Sequence, residues 1–153
     1  MTRPIYEPSL RRTDAELGYG QAQLFRRPRP ARATHMHIKV ISDVQVLETG
    51  DGKFIFAVSD DMDGMTLVDA DAYITTVSSS GLPTIQLRNI TQAVDMLSTR
   101  ITIDVSQFTS YTATTPPVID AANDDVAIAD RIAIDVDVAG TGAKGLGIWL
   151  EFR

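Results

Sequence analysis

Apolar and polar residues alternate with a period of two along most of the chain from Met36 onward. The clearest case is the segment 131–138, where every even position is Ile or Val and every odd position is Arg, Ala or Asp. Segments 53–58 and 101–106 alternate in the same way. This period is expected where one face of a strand is buried and the other meets water, so the pattern predicts half-buried β-strands.

Further strands are predicted at 38–41, 44–47, 65–77 with a break, 84–90, 110–114 and 146–152. Turn residues separate them: Gly50-Asp51-Gly52 indicates a hairpin, and glycine, serine and proline clusters interrupt the chain at 78–83 and 140–145. Within the domain only 91–98 offers a helical face, and it could equally continue a strand; in the arm, 13–23 could form a short helix or turn. Many short strands at this spacing predict an all-β fold, an antiparallel, jelly-roll-like β-sandwich preceded by an extended N-terminal arm.

Charge divides the 153-residue chain into two parts. Residues 1–39 contain eight basic and three acidic residues, a net charge of +5, while the remainder contains six basic and 17 acidic residues, a net charge of −11. We therefore predict a basic attachment arm over 1–35 and a β-sandwich domain over 36–153. The acidic domain argues against nucleic-acid binding, because phosphates require a basic face. No apolar run approaches the ~20 residues that span a bilayer, so no membrane association is expected.

The arm combines prolines and arginines with large apolar side chains. Such a segment cannot build a core of its own, which favours docking onto another protein. Aromatic residues and arginines are enriched at interface hot spots. The residues expected to contact the partner are Tyr6, Arg11, Arg12, Tyr19, Leu24, Phe25, Arg26 and Arg27.

Two groups of residues could hold a metal ion. Asp60, Asp61 and Asp63 offer hard oxygen ligands to calcium, although their spacing does not fit an EF-hand and a solvated turn explains them equally well. His35 and His37 should point to the same side of an extended chain. They could converge on an axis in an oligomer to bind a metal or an anion, but ordinary linker residues are the simpler interpretation. The chain has no cysteine, which excludes thiolate ligands and disulfides.

Catalytic motifs are not found. The chain lacks Gly-x-Ser-x-Gly, a phosphate loop and a Cys/His pair, so we expect no enzyme. A sugar-binding platform is an alternative, because aromatic faces suit the apolar surfaces of sugars. Its candidate members are Tyr73, Phe108, Tyr111, Trp149 and Phe152. Trp149 also lies in a strand that looks apolar on both faces, which predicts a central strand or an oligomer contact.

The C-terminal half resembles a β-sandwich module of structural proteins in tailed bacteriophages and related gene-transfer particles. The resemblance is carried by IQLRNITQAVDMLSTRITIDVSQFTSYTATTPPVID (85–120) and DDVAIADRIAIDVDVAGTGAKGLGIWLEF (124–152). Within these runs the similar elements are Asp95-Met96-Leu97-Ser98, Ile101-Thr102-Ile103-Asp104, Asp135-Val136-Asp137 and the turn 140–147. The arm likewise resembles segments that couple such modules to a virion.

This resemblance implies a non-enzymatic virion subunit, attached to the head or tail. It would bind other virion proteins through its arm, form a trimer or ring, and display the sandwich as a knob. The chain has no coiled coil or collagen-like repeat, which favours a small accessory subunit over a long fibre. The alternative is a tail-fibre or tail-tip module that binds a receptor or a host-surface glycan. That alternative would be favoured by Tyr73, Phe108 or Tyr111 grouped in solvent, whereas their burial would count against it.

Overall fold

Ten strands form antiparallel sheets in residues 33–153, the part of the chain that the computed structural model describes. The strands are β1 (Thr34–Val46), β2 (Gly50–Ala57), β3 (Leu67–Thr76), β4 (Thr84–Asn89), β5 (Val94–Asp95), β6 (Leu97–Thr99), β7 (Ile101–Thr102), β8 (Val118–Ile119), β9 (Arg131–Val138) and β10 (Lys144–Phe152). Two short 3-10 turns, Asp60–Met62 and Ser110–Thr112, lie between strands. No helix in this part of the chain is long and apolar enough to cross a membrane.

Three strands make the first sheet, in the order β1-β10-β3. β10 is its central strand, with Trp149 opposite His37 on one side and opposite Asp71 on the other. The outer edge of β3 is covered in part by the segment before Tyr111, since Ile74 N–H donates to the Phe108 carbonyl at 2.9 Å. The pairing of β1 with β10 joins two segments that are more than a hundred residues apart in the sequence.

The second sheet has the order β2-β9-β4-β5, and β7 also pairs with β4. β6 and β8 form a separate two-stranded ribbon. The sequence had indicated a hairpin at Gly50-Asp51-Gly52. Consecutive strands β1 and β2 lie in different sheets, so no hairpin forms between them. Instead, β2 begins at Gly50 and pairs with β9.

One hydrophobic cluster includes residues from both sheets. Each fully buried Leu or Ile contributes about 1.5–3 kcal/mol through burial, so this cluster is the main stabilising element. The first sheet supplies Ile38, Ile41, Ala70, Ala72, Ile74, Leu146, Ile148 and Leu150, and the second supplies Ile85, Leu87, Ile132, Ile134 and Val136. The predicted class, an antiparallel β-sandwich, is confirmed.

Several predicted elements differ from the structure. The segments 38–41 and 44–46 belong to one strand, whose pairing with β10 has two register shifts, and Leu47 follows the end of that strand. The segment 65–77 contains a strand without a break. The segment 91–98 forms a turn and short strands, and no helix. Of 101–106 only Ile101–Thr102 is a strand, and 110–114 begins with a 3-10 turn. After Thr102 the backbone bonds to another segment, since Ile103 N–H donates to the Pro83 carbonyl and Ser106 N–H to the Ser78 carbonyl. In 110–114 a bond within the turn, from Ala113 N–H to the Ser110 carbonyl, replaces ladder bonds.

Candidate ligand-binding groove

The outer face of the first sheet is built from alternate residues of β1, β10 and β3, whose other face is in the core. Because side chains of a strand point to opposite faces in turn, the cross-strand register fixes which outer residues are neighbours. Three rows of three result. They are His35–Glu151–Asp69, His37–Trp149–Asp71 and Lys39–Gly147–Tyr73.

Trp149 is the centre of an aromatic cluster on this face. Its ring lies 4.7 Å from that of Tyr73, 5.4 Å from that of Tyr111 and 6.0 Å from that of His37, measured between centroids. The planes of Tyr111 and Trp149 differ by only 14°, so the two rings are stacked. His37 Nε2 and the Tyr73 hydroxyl share a hydrogen bond of 2.8 Å, and the Lys39 ammonium lies 5.1 Å from the Tyr73 ring centroid.

Tyr111 is positioned by its neighbour Ser110. The Ser110 hydroxyl is buried, donates to the Asp71 carboxylate at 2.6 Å and accepts from the Ala72 backbone N–H at 2.9 Å. These bonds tie the 3-10 turn to β3. Tyr111 is nevertheless 66% exposed. A large aromatic side chain is therefore fixed in place while most of it faces solvent.

Gly147 makes room for the Tyr73 ring. A Cβ atom at this position would lie 2.1–2.4 Å from three atoms of that ring, far inside van der Waals contact. Tyr73 is directly opposite Gly147 in the ladder, and its ring crosses the strand above the glycine. The position of Tyr73 beside Trp149 thus depends on the absent side chain at 147.

A groove with a volume of about 280 Å³ runs beside this cluster. Tyr111 and Trp149 provide its aromatic surface. The polar lining consists of histidines from β1 and of carboxylates from β3 and from the end of β10. Its residues are His35, Met36, His37, Asp69, Asp71, Tyr111, Trp149, Leu150 and Glu151.

The carboxylates give the groove a negative electrostatic character. Burial raises the pKa of Asp71, the hydrogen bond from Ser110 partly opposes this, and the nearby Asp69 raises the pKa further. Burial also raises the pKa of Tyr111, and the charges of Asp71 and Asp69 add to the effect. The phenol of Tyr111 therefore interacts electrostatically with both carboxylates. Glu151 differs from them, because its carboxylate accepts a hydrogen bond from Arg153 Nε at 2.7 Å.

The candidate members of the sugar-binding platform are only partly brought together. Tyr73, Tyr111 and Trp149 share one cluster, as does His37, which the sequence had suggested was a linker residue. Phe152 is completely buried in the core, so its inclusion in the platform was wrong. Phe108 is 56% exposed but does not line the groove.

Trp149 lies on a central strand, as predicted, but that strand is not apolar on both faces. Leu146, Ile148 and Leu150 point to the core, while the outer face of β10 carries Gly147, Trp149 and Glu151. The oligomer contact assigned to Trp149 stays a prediction. The even spacing of His35 and His37 correctly predicted that both point to the same side, and both line the groove.

Calcium binding by Asp60, Asp61 and Asp63 stays a prediction. Asp60 and Asp61 lie in a 3-10 turn, and Asp63 accepts a hydrogen bond from the Ile128 N–H at 2.8 Å. Across residues 33–153, no group of three or more His, Cys, Asp or Glu side chains is placed to hold a metal ion. Through Asp63 the acidic loop is tied to the backbone at Ile128, which lies 65 residues further along the chain.

The arm residues predicted to contact a partner lie outside the described residues. They are Tyr6, Arg11, Arg12, Tyr19, Leu24, Phe25, Arg26 and Arg27. The docking role assigned to them stays a prediction.

Sequence reasoning missed the carboxylates of the groove. None of Asp69, Asp71 and Glu151 was a candidate residue in the sequence analysis. Each alternates with buried residues of its strand, and that alternation was the available signal that their side chains point outward. What it could not supply was the register that brings the two strands together.

Comparison with protein-family models, curated proteins and solved structures found no match to this chain. The resemblance to phage structural modules is therefore carried by the sequence runs alone. The groove has to be interpreted from its own chemistry.

Proposed function

We propose that residues 33–153 form a non-enzymatic module that binds a glycan in the groove beside Trp149. The observation that supports this most directly is the aromatic cluster on one sheet face, in which Tyr111 is 66% exposed and stacks on the partly buried Trp149, with Tyr73 beside it. Aromatic faces stack against the apolar C–H faces of sugar rings. The carboxylates and imidazoles around the cluster suit the hydroxyl groups of a sugar, since they accept or donate hydrogen bonds.

The fixed position of Tyr111 favours a binding role over a packing role. Phe152, by contrast, contributes to stability as a buried aromatic residue of the core. Tyr111 is instead held in solvent by the turn that Ser110 anchors to β3. Holding a ring in its binding geometry beforehand reduces the entropy lost on association. The turn therefore makes Tyr111 suitable as one side of a stacking platform.

The shape of the groove suits a short stretch of an oligosaccharide. Its volume of about 280 Å³ is at the small end of the range for ligand pockets, and it opens along the sheet face. A chain of sugars could lie across β10, with one ring on the Tyr111–Trp149 pair. Flanking sugars would then meet His35 and Glu151, which are paired across the strands.

Trp149 provides the assay, because it is the single tryptophan of the chain. Its fluorescence is titrated with cellotetraose, with the tetramer of N-acetylglucosamine and with the tetramer of glucosamine. We expect a saturable change in emission with at least one of them. Tyr111→Ala should weaken that binding about tenfold, the loss typical of an aromatic hot spot.

Phe108→Ala is the matched control, since Phe108 is also an exposed aromatic residue but lies outside the groove. It should leave the affinity unchanged. Equal losses in the two variants, or no saturable change with any of the tetramers, would contradict the proposal. The sugars should be recovered intact after the titration. Shorter products would show that the groove is catalytic, against the non-enzymatic part of the proposal.

A glycan-binding module is compatible with the virion role that the resemblance implies. On that hypothesis the arm, residues 1–35, attaches the subunit to other virion proteins as part of a trimer or ring, and the sandwich contacts the host surface. The observations on the groove support only the sugar-binding step. Location in a virion, partner proteins and oligomeric state stay predictions.

A further inference from the structure

We infer that the glycan recognised by this groove carries a free, protonated amine, as in a chain of glucosamine units. This inference rests on the proposed function and names the class of sugar that the site selects. It depends on three features of the outer sheet face: where the carboxylates lie, which of them have basic partners, and how they are arranged around the aromatic rings.

The charges on the outer face are unevenly compensated. Glu151 is paired with Arg153, and the Lys39 ammonium is paired with Asp43. Within residues 33–153, no ion pair involves Asp69 or Asp71. These two carboxylates occupy adjacent outer positions of β3 and line the same groove. The β3 side of the groove therefore presents two negative charges that a bound cation would neutralise.

The surroundings of Asp71 make a cation favourable there. Its carboxylate is half-buried, and both burial and the neighbouring Asp69 disfavour its ionised form. A positive charge beside it would remove part of this penalty. A neutral group in the same place, such as an acetamide, would desolvate both carboxylates without neutralising their charge, which costs free energy.

The aromatic rings add to the attraction. An ammonium group above an aromatic face is stabilised by the ring quadrupole, and the effect grows when the cation also leaves water. Tyr111 is stacked on Trp149, and the pKa of its phenol is raised in part by the charges of Asp71 and Asp69. A sugar ring on this pair can therefore direct an amine substituent toward β3. The hydroxyl groups of the sugar ring would then face the histidines of β1.

The experiment compares two tetramers that differ only at the amine. The fluorescence of Trp149 is titrated with the glucosamine tetramer and with the N-acetylglucosamine tetramer, at a pH where the free amine is protonated. We expect the free-amine tetramer to bind about tenfold more tightly, equivalent to about 1.4 kcal/mol. Its advantage should shrink at high ionic strength, because exposed charges are screened by salt.

The double variant Asp69→Asn/Asp71→Asn tests the origin of this preference. Asparagine keeps the acceptor oxygens that receive the Ala70 N–H and the Ser110 hydroxyl, so the local structure should survive, which circular dichroism can check. In this variant the two tetramers should bind within about twofold of each other. The control Glu48→Gln/Asp95→Asn changes the net charge equally at exposed sites outside the groove and should keep the full preference.

The outcomes separate this inference from the proposed function. If both tetramers bind equally to the wild-type protein and Tyr111→Ala weakens both, the glycan site stands and the amine selection is wrong. A preference that persists in Asp69→Asn/Asp71→Asn, or that the control variant also loses, would overturn the inference as well. If no tetramer alters Trp149 emission, the proposed function fails and the inference fails with it.

Discussion

Gly147→Ala should displace the Tyr73 ring from the outer sheet face while leaving the sandwich folded. The added Cβ would lie 2.1–2.4 Å from the Cε1, Cζ and Oη atoms of Tyr73, so the ring must move. Gly147 does not adopt the left-handed backbone conformation, unlike Gly145 and Gly142, so alanine causes no backbone strain there. The effect of the substitution is therefore confined to the aromatic cluster.

The contacts at stake allow the magnitude to be worked out. Moving the ring breaks the 2.8 Å hydrogen bond with His37, worth about 0.5–1.5 kcal/mol, and the 4.7 Å ring contact with Trp149, worth a similar amount. Replacing a strand glycine by alanine returns about 0.5–1 kcal/mol, because the unfolded chain loses conformational freedom. The net loss in free energy of unfolding should be about 1 kcal/mol. For a domain of this size this lowers the Tm by roughly 3–5 °C.

A double-mutant cycle with Tyr73→Ala isolates the clash. Without the tyrosine ring, Gly147→Ala should be neutral or should stabilise the domain by about 0.5–1 kcal/mol, so its sign changes between the two backgrounds. Urea unfolding followed by far-UV circular dichroism measures the free energies, and Trp149 emission reports the loss of the neighbouring ring. An equal cost of Gly147→Ala in both backgrounds would refute the reasoning, since the glycine would then be needed for something other than Tyr73.

Two further predictions concern polar groups buried in the second sheet and its loops. Asp130 receives hydrogen bonds from Asn89, Gln92 and the Ala127 N–H; burial raises its pKa, but these bonds outweigh burial and lower it overall. The ionised carboxylate therefore stabilises the fold fully above the ordinary carboxyl pKa, and this stabilisation is lost as the pH falls through the lowered pKa. The difference in free energy of unfolding between wild type and Asp130→Asn, measured by urea unfolding, should narrow from pH 7 to pH 3. A constant difference would contradict this. Arg88→Met should lower the free energy of unfolding by about 3 kcal/mol, because Asp135 is only 4% exposed and would lose its ion pair. Arg100→Met removes the more exposed pair with Asp137 and should lower it by at most about 1 kcal/mol. Equal losses in urea unfolding would show that burial of Asp135 does not matter.

Strands with clean alternation were predictable from the sequence, and the loops were not. The segment 131–138 is a strand with the predicted bounds, and Ile132, Ile134 and Val136 reach the core as expected. The prediction of a wet opposite face was wrong in part, because Ala133 and Asp135 are buried there, while Val138 is exposed. The segment 101–106 alternates as cleanly, yet its strand ends at Thr102. Beyond that residue the ladder does not continue. Ile103 N–H donates to the Pro83 carbonyl and Ser106 N–H to the Ser78 carbonyl, while Gln107 N–H closes a turn on the Asp104 carbonyl. Periodicity shows which face a residue could present, but it does not show whether a partner strand is available.

The candidate site was predictable only as a set of residues without an arrangement. The aromatic alternative included Tyr73, Tyr111 and Trp149, which do form one cluster, but it also included Phe152 from the core. Phe152 and Trp149 are three positions apart on β10, so strict alternation assigns them to opposite faces. Apolar residues on both sides of Trp149 concealed this difference, because a tryptophan among Ile, Leu and Phe looks like one more core residue.

Cross-strand register brings these scattered residues together on one surface. His37, Trp149 and Asp71 come from three strands, two of them separated by more than a hundred residues of sequence, and they are adjacent because β10 pairs with β1 and β3 at fixed positions. A slip of one residue along β10 would send Trp149 to the core and Ile148 to the solvent, so burial of the inner face specifies the outer rows. The aromatic groove is therefore held in register by the same apolar residues that stabilise the sandwich. Substitutions that weaken the core of β10 should loosen the groove before they unfold the domain.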